Sequence, residues 1–580
     1  MIGDLYLTSA SAAPKLRIGL MIDEPVLSSV SAAIVDQIRA SSFAEIVLVV
    51  RNGAFPAETG PSASFLSRAW KFLKRPALRR LIAYAIYLKL DARRSYDAHR
   101  DPLKPVDCTE RLAGVEEIVV APQSKGYVHR LPAEVVEEIK SRDLDVLIRF
   151  GFNILKGDIL SAAKSGVWSF HHGDNDFYRG TPPYFWEMVE ERPRCGAILQ
   201  VLNEELDNGL VLAKGQYANE GGLSLFRNSV GPYWGSAHFI IWKLKELHEQ
   251  GFEALKARAI PRAPYGGQRA VYRKPANWEV VSWLGGAVLR KLKERRERRI
   301  LHWQMALRRD GATPSIQPGT GAVDLSGFHF ITAPKGHFYA DPFLFERDGR
   351  MYLFLEDYSY AEQRGDLVVM DVTDGVPATA DLCLKTGSHL SYPFVFAHGG
   401  ETYMIPETMA AGEVALYRAE AFPHRWVKEK VLYEGSIVDT TLWIEDGVFY
   451  FFATFIVPGT EAMSLHLFTA DSLTGAWRHH PANPISNDVR DARGAGHMFR
   501  QDGVLYRPAQ DCSGTYGRAI RFYRVDVLTP NAYSETLVLD LEPDAVPAFA
   551  GMPAEGIHTY NRTGAFEVID AKFRLPADTI

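Results

Sequence analysis

The chain is poor in cysteine. Only Cys108, Cys195, Cys383 and Cys512 occur in 580 residues, and none has a Cys-x-x-Cys or histidine-spaced partner. A disulfide scaffold and a zinc finger are excluded, and a reducing, cytoplasmic setting is expected. Long apolar runs are missing too. No window of ~18 residues is uncharged and apolar, so no membrane-spanning helix is expected. Met1–Lys15 lacks a basic stretch followed by an apolar one. No signal peptide is expected there, and residues 1–15 read as a flexible N-terminus. Neither sign of charge dominates: 65 Lys and Arg stand against 70 Asp and Glu, a net of −5. A nucleic-acid partner is therefore not expected. The first apolar run has no Gly-x-Gly-x-x-Gly after it, so a dinucleotide site is not supported.

What remains is an ordinary globular composition, 47% hydrophobic and 23% charged, on a long chain. Single cores stop growing near ~250–300 residues, so at least two domains are expected. Over 16–275, apolar runs alternate with helix-like stretches. Leu16–Met21, Ile46–Val50, Val115–Ala121 and Asp145–Phe150 read as buried strands, with Ser29–Ala40 a helix between the first two. That alternation predicts a parallel sheet with helical crossovers. Residues 276–300 read as a basic linker helix, centred on Gly286–Leu301. It is either solvated or in peripheral contact with an anionic membrane or a partner. Leu66–Leu90, also basic and amphipathic, reads as an inserted helix pair over the sheet or as an interfacial or phosphate-binding surface.

Over 301–580 the helical period stops and a repeat takes over. Ala340–Tyr358, Ser391–Glu407, Val438–Phe455 and Gly496–Asp511 align with one another. Each is a strand, a turn (Asp348-Gly349, Gly399-Gly400, Asp446-Gly447, Asp502-Gly503) and an aromatic strand. Such dipeptides between alternating apolar residues mark hairpins. Gly556–Phe573 is a weaker fifth copy. Copies about fifty residues apart, each long enough for four strands, predict a five-bladed β-propeller. Trp303–Arg309 is expected to supply the strand that closes the ring. The expected fold class is multidomain: an α/β Rossmann-like unit, then an all-β propeller.

The densest polar cluster of the first half is Gly166–Pro183, placed after a strand where α/β sheets put their sites. The pattern Ser169-Phe170-His171, Tyr178-Arg179-Gly180 and Leu206-Asp207-Asn208-Gly209 resembles the folate-dependent formyltransferases, whose motif is Asn-x-His, Arg-Gly, then Leu-Asp-x-Gly. The resemblance spans about 16–275. It implies N-formyl transfer from 10-formyltetrahydrofolate to an amine on a sugar-containing acceptor. It implies His171, Asp207 and Ser169 as catalytic residues. Phe150, Gly151, Asn153 and Leu206 would line the folate pocket, and Asn175 and Arg179 would touch substrate. Ser169 departs from the family's Asn and changes the oxyanion donor set; His172 and Asn175 are the substitutes. Asp174 and Asp176 read as turn residues or site residues.

In the second half, the opening strand of each blade lines the central channel. This places Asp341, Tyr392, Asp439, His497 and His558 around one axis. Family-43 glycoside hydrolases look similar at Asp341-Pro342 and Asp439. Their blade-four glutamate has no counterpart in Gly494-Ala495-Gly496, which leaves Glu407 or Glu356 as replacements. Ser391-Tyr392-Pro393-Phe394, Ile405-Pro406-Glu407, Phe422-Pro423, Arg507-Pro508 and Gln510-Asp511-Cys512 resemble the N-terminal domain of plant glucosamine inositolphosphorylceramide transferases. That likeness, over about 300–575, implies a propeller that handles a sugar or glycolipid. Asp341, Tyr392, Glu407, Asp439, His497 and His558 are the sugar-binding candidates. No metal site is expected. Two enzyme readings stand at this point, beside a third in which both sites are relics that only bind. One is formyl transfer with a carbohydrate-recognising propeller. The other is a glycan-modifying enzyme whose chemistry is in the propeller, with the first domain a scaffold or binding module.

Overall fold

The apolar runs of the first half become the strands of one sheet. The computed structural model describes residues 2–54, 79–219, 222–297, 299–309, 313–375 and 379–576. The chain divides into two compact units, Met1–Val288 and Leu289–Ile580. In the first unit the sheet strands are β1 (Leu16–Ile22), β2 (Ala44–Asn52), β3 (Glu116–Val120), β4 (Val146–Arg149), β5 (Val167–His171), β6 (Arg194–Val201) and β7 (Leu210–Ala218). Their order is β7-β6-β5-β4-β1-β2-β3. Pairings from β3 to β5 are parallel, whereas β6 and β7 form an antiparallel edge. The sheet is thus mixed and not wholly parallel. β6 and β7 are joined by residues 202–209, too few for a crossover, and the longer stretch 172–193 carries only the helix Phe185–Val189.

Ser29–Ala40 is a helix capped by the Ser28 hydroxyl, which accepts from the Ser31 N–H. Its Ile34, Val35 and Ile38 are buried against β1 and β2 residues such as Ile18, Leu20 and Val49. The reading of residues 1–15 as flexible is corrected. Ile2–Tyr6 forms a 3-10 turn, and Tyr6 is buried in the same core as Ile18. Of Leu66–Leu90, residues 66–78 lie outside the described residues; Ile82–Ser95 is a helix. Between β4 and β5 lies a single 3-10 turn, Asp158–Ser161.

Among the described residues the second unit holds five four-stranded antiparallel sheets, with one short extra strand in the fourth, and a separate two-stranded ribbon, Ile316–Gln317 with Ala322–Val323. Blade 1 runs from His337–Arg347 to Asp381–Leu384, blade 2 from Ser391–His398 to Arg425–Glu434, and blade 3 from Ile437–Glu445 to Arg478–His479. Blade 4 runs from Arg493–Gly494 to Tyr533–Leu541. Blade 5 takes Ala554–Thr563 and Phe566–Pro576 from the C-terminal end. Its two outer strands, Arg299–Arg309 and His329–Ile331, come from the start of the unit. Arg299–Arg309 pairs with Phe566–Pro576 along its whole length, so one sheet joins both ends of the unit. Innermost strands of successive blades touch, and blade 5 touches blade 1, which closes a propeller ring. The four turn dipeptides have positive φ at both central residues, as at Asp348 (53°) and Gly349 (71°), the mirror-image turn that suits the strand twist.

Candidate functional site

In the first unit the motif residues do come together, and they satisfy one another. His171 Nδ1 faces Asp207 Oδ1 at 3.3 Å, and its Nε2 lies 2.7 Å from the Tyr178 carbonyl. Burial pulls the His171 pKa down, but the Asp207 carboxylate outweighs it and the net direction is up. Both ring nitrogens therefore have internal oxygen partners. Ser169 Oγ accepts from Arg149 Nε at 3.0 Å and Nη2 at 2.8 Å, and donates to the Phe170 carbonyl at 3.1 Å. Neither side chain has a donor left for a developing oxyanion.

The expected substitutes are also engaged. Burial, then His171 and Arg149, push His172 down to about 3, so it is a neutral ring packed 4.1 Å from Tyr233. Asn175 is buried, and its backbone carbonyl accepts from Arg179 Nε at 3.3 Å. The Arg179 guanidinium stacks on Tyr265. Asp174 and Asp176 clasp Lys214 Nζ, each at 2.7 Å.

The folate-pocket candidates scatter. Leu206 is 40% exposed. Gly151 presses against the backbone of Ile22 and Asp23, where a Cβ would collide at 2.3 Å. The Asn153 carbonyl accepts from Arg149. Phe150 lines a cavity of about 450 Å³ with Asp23, Arg149, Ser169 and His172. That cavity sits where the chain order reverses between β1 and β4.

The second unit builds a different kind of site. In blades 1, 2 and 3 the inner strand breaks register at one equivalent point, after Ala340, Ser391 and Val438. The residue that follows each break is left-handed: Asp341 (φ 49°), Tyr392 (45°) and Asp439 (46°). A left-handed non-glycine costs ~1–3 kcal/mol, and such strain is held by its surroundings. Each bulge sends a side chain to another blade. Asp341 Oδ1 accepts from Thr559 Oγ1 of blade 5 at 2.9 Å. Tyr392 Oη meets Thr441 Oγ1 of blade 3 at 3.0 Å and accepts from the Gly496 N–H at 2.9 Å. Asp439 Oδ2 accepts from Arg493 and, at 2.9 Å, from Gln510 Nε2, both of blade 4.

The chemistry gathers around Asp341. Its N–H donates to Asp570 Oδ2 at 2.8 Å, and Asp570 Oδ1 bonds His558 Nδ1 at 2.6 Å. His558 Nε2 faces back toward Asp341 Oδ1 at 3.6 Å. Burial, with Asp439 and Asp570 nearby, raises the Asp341 carboxyl to about 7 against the pull of His558. His558 is itself raised: burial lowers it, but Asp570 and Asp341 more than compensate. Burial and the surrounding carboxylates also push Glu356 well up. Burial, then Asp439, raises Glu407, which is tied to Ser391 Oγ and the Met409 N–H. Asp439 Oδ1 is buried and has no hydrogen-bond partner among the described residues.

The ligand-type atoms of Asp341, His558 and Asp570 lie within 4.8 Å of one another. Hydrogen bonds from Thr559, the Asp341 N–H and the His558 ring already engage the two carboxylates. Aromatic rings flank the trio. Trp303 stacks on His558 at 3.9 Å, Tyr516 meets His558 edge-on, and Arg493 lies over Tyr516. Trp303 and Tyr516 are both partly exposed. His497 stays apart: it packs on Phe394 and Phe343, and burial lowers it to about 4.

From the sequence, Glu356 and Glu407 were named in second strands, but Arg493, in the opening strand of blade 4, and Asp570 and Gln510 were missed. The signal for Asp570 and Gln510 lies in the second strand. Seven residues after each turn glycine stand Glu356, Glu407, Thr454 and Gln510, and six after Gly564 stands Asp570. That column faces the bulged residues across the first hairpin of each blade.

Comparison with known proteins falls on this second unit. Residues 305–546 match the family described as glucosamine inositolphosphorylceramide transferase 1, N-terminal. The rice (Oryza sativa subsp. japonica) glucosamine inositolphosphorylceramide transferase 1 is 40% identical over 209 residues, 35% of this chain and 28% of the relative. The Arabidopsis thaliana protein of that name is 36% identical over 234 residues, 39% and 30% of the two chains. The chain thus spans under a third of the relatives' length. The catalytic domain of Coprinopsis cinerea GH62 α-L-arabinofuranosidase covers 41% of this chain and 90% of its own at 16% identity, with a TM-score of 0.32, too low to build on. The relatives' names carry a sugar-lipid transferase and no folate chemistry. The formyl-transfer reading and its 10-formyltetrahydrofolate co-substrate are corrected accordingly, and the closed hydrogen bonding of Ser169 and His171 gives the physical reason.

Proposed function

We propose that the chain is a glycan-modifying enzyme whose chemistry lies in the channel of the second unit, with the first unit a scaffold or binding module. The observation that carries this is Asp341: a buried carboxyl raised to about 7, faced at 3.6 Å by a His558 ring that Asp570 holds in place. Cleaving or transferring a glycosidic bond needs one carboxyl that holds a proton near neutrality and another group that supports the positive sugar centre. Asp341 is the acid. It gives its proton to the departing oxygen as water or an acceptor hydroxyl bonds to the sugar carbon, and the proton that this nucleophile loses returns to Asp341 by way of His558. Asp439, ion-paired to Arg493, is the second carboxylate. Trp303 and Tyr516 offer flat apolar faces beside the network, suited to the faces of a sugar ring. The relatives' names support a sugar-containing, lipid-linked substrate.

The test uses the full chain with two substrate sets, aryl glycosides and sugar nucleotides, each with and without a glycolipid acceptor. Released aglycone or nucleotide is measured beside sugar-dependent thermal stabilisation. Turnover that Asp341→Asn abolishes is the expected result. No turnover together with no sugar-dependent shift would sink the reading.

A further inference from the structure

Helix Asn277–Glu297 buries one face and exposes another that is just as apolar. Val280, Trp283 and Ala287 are buried, and Trp283 packs edge-on against Tyr87 and Phe185. On the opposite side Trp278 is 71% exposed, Val281 63%, Val288 51%, Leu289 69% and Leu292 57%. At about 100° of turn per residue these five fall within an arc of about 100°, the width of a full apolar stripe. A helix apolar on two faces is normally covered on both.

The charge beside the stripe says what covers it. Arg290 and Lys291 are exposed. The sequence continues with Lys293, Arg295, Arg296, Arg298 and Arg299 against only Glu294 and Glu297. A tryptophan at one end, aliphatic residues along the stripe and a dense basic end fit an interfacial helix lying on anionic headgroups. No helix among the described residues is long and apolar enough to cross a membrane, so this one would lie on the surface.

We propose that helix Asn277–Glu297 docks on the surface of an anionic lipid bilayer, with Trp278, Val281, Val288, Leu289 and Leu292 inserted and Arg290 and Lys291 toward the headgroups. This inference stands on the helix alone and is independent of the channel chemistry.

The test is co-sedimentation of the full chain with vesicles of phosphatidylcholine plus phosphatidylserine, against phosphatidylcholine alone. The protein should favour the anionic vesicles, and added salt should weaken that preference. Replacing the stripe (Trp278→Ser, Leu289→Ser and Leu292→Ser together) should lower partitioning at least ~10-fold. Arg290→Gln with Lys291→Gln should lower it by roughly 30-fold, about fivefold per charge. If the triple variant fails to fold by circular dichroism, Val281→Ser alone reads the same face and should weaken binding several-fold. Equal sedimentation with both vesicle types would overturn the proposal. So would binding that no variant changes. A lipid-free self-association lost in the stripe variant would overturn it as well, by assigning the face to a protein partner.

Discussion

Each unit contains a buried histidine–aspartate pair, and the two pairs are in opposite states of completion. In the first unit His171 has Asp207 on one nitrogen and the Tyr178 carbonyl on the other. In the second, His558 has Asp570 at hydrogen-bond distance on one nitrogen, but the other meets Asp341 only at 3.6 Å. Around His171, Ser169 is spent on Arg149, and Asp174 and Asp176 on Lys214, while Glu187, raised to about 8 by burial, keeps one buried oxygen without a partner among the described residues. Around His558 the carboxylates of Asp341 and Glu356 are pushed toward the protonated form, and one oxygen of Asp439 has no hydrogen-bond partner among the described residues. The pairs differ in what meets the second ring nitrogen: a backbone carbonyl at 2.7 Å for His171, a raised carboxyl at 3.6 Å for His558. Buried polar groups are normally satisfied, and the exceptions need a reason.

The largest test of this contrast removes a charge from the open site. Asp439→Ala leaves Arg493 buried beside Tyr516 without its carboxylate. Breaking one partner of a buried pair costs about 3–5 kcal/mol, so the thermal transition should fall by many degrees. Replacing both partners with apolar residues of similar volume should recover much of that loss. If the single variant is as stable as the parent, Asp439 is not held as described.

Asp341→Asn should come next. Removing a general acid should cut turnover by ~100-fold or more while leaving sugar-dependent stabilisation in place. It should also change how stability depends on pH. The folded chain keeps a proton on Asp341 up to about 7, whereas an unfolded carboxyl loses it near 3.8. Between those values the native state binds more protons, so stability falls as pH rises. The raised His558 works in the same direction, since its contribution is lost as pH climbs through its folded value. Thermal melts across that window should slope downward in the parent and less steeply in Asp341→Asn. A parent whose stability rises over that window would contradict the assignment.

In the closed site Ser169→Ala should act on stability alone. Arg149 loses the one acceptor shared by its Nε and Nη2, at a cost of about 1–3 kcal/mol, the usual penalty for orphaned buried donors. Sugar-dependent stabilisation and turnover should stay at parent values. A loss of turnover without a loss of stability would move chemistry into the first unit and break the comparison.

Much of the fold was legible because periodicity survives folding. The alternating strands of the first half and the repeated Asp-Gly hairpins of the second reflect local backbone demands, which sequence records directly. The antiparallel edge of the first sheet was not legible, since β6 and β7 are as apolar as their parallel neighbours. Asp341, Asp439 and His558 were found because the repeat places them in register. Asp570 and Gln510 were missed although the same repeat marks them one strand later. The Ser169–Arg149 contact was beyond reach: Arg149 closes a strand twenty residues away, and nothing in its spacing shows where its guanidinium turns.

The smallest expected effect is also the sharpest reading of the open site. Thr559 Oγ1 donates to Asp341 Oδ1 at 2.9 Å and is the least of the influences acting on that carboxyl. A hydrogen bond to the charged form favours ionisation, so its removal must raise the pKa further. Thr559→Val keeps the shape and deletes the donor. If Asp341 is the acid, activity declines as pH rises through its pKa, and in Thr559→Val that decline should move to higher pH by a fraction of a unit. Maximal turnover should change little, because the proton donor itself is intact. The pH–rate profile of the full chain measures this. A shift to lower pH would mean that the group titrating in the profile is not Asp341, and the role would pass to Glu356, the other buried carboxyl of the same blade.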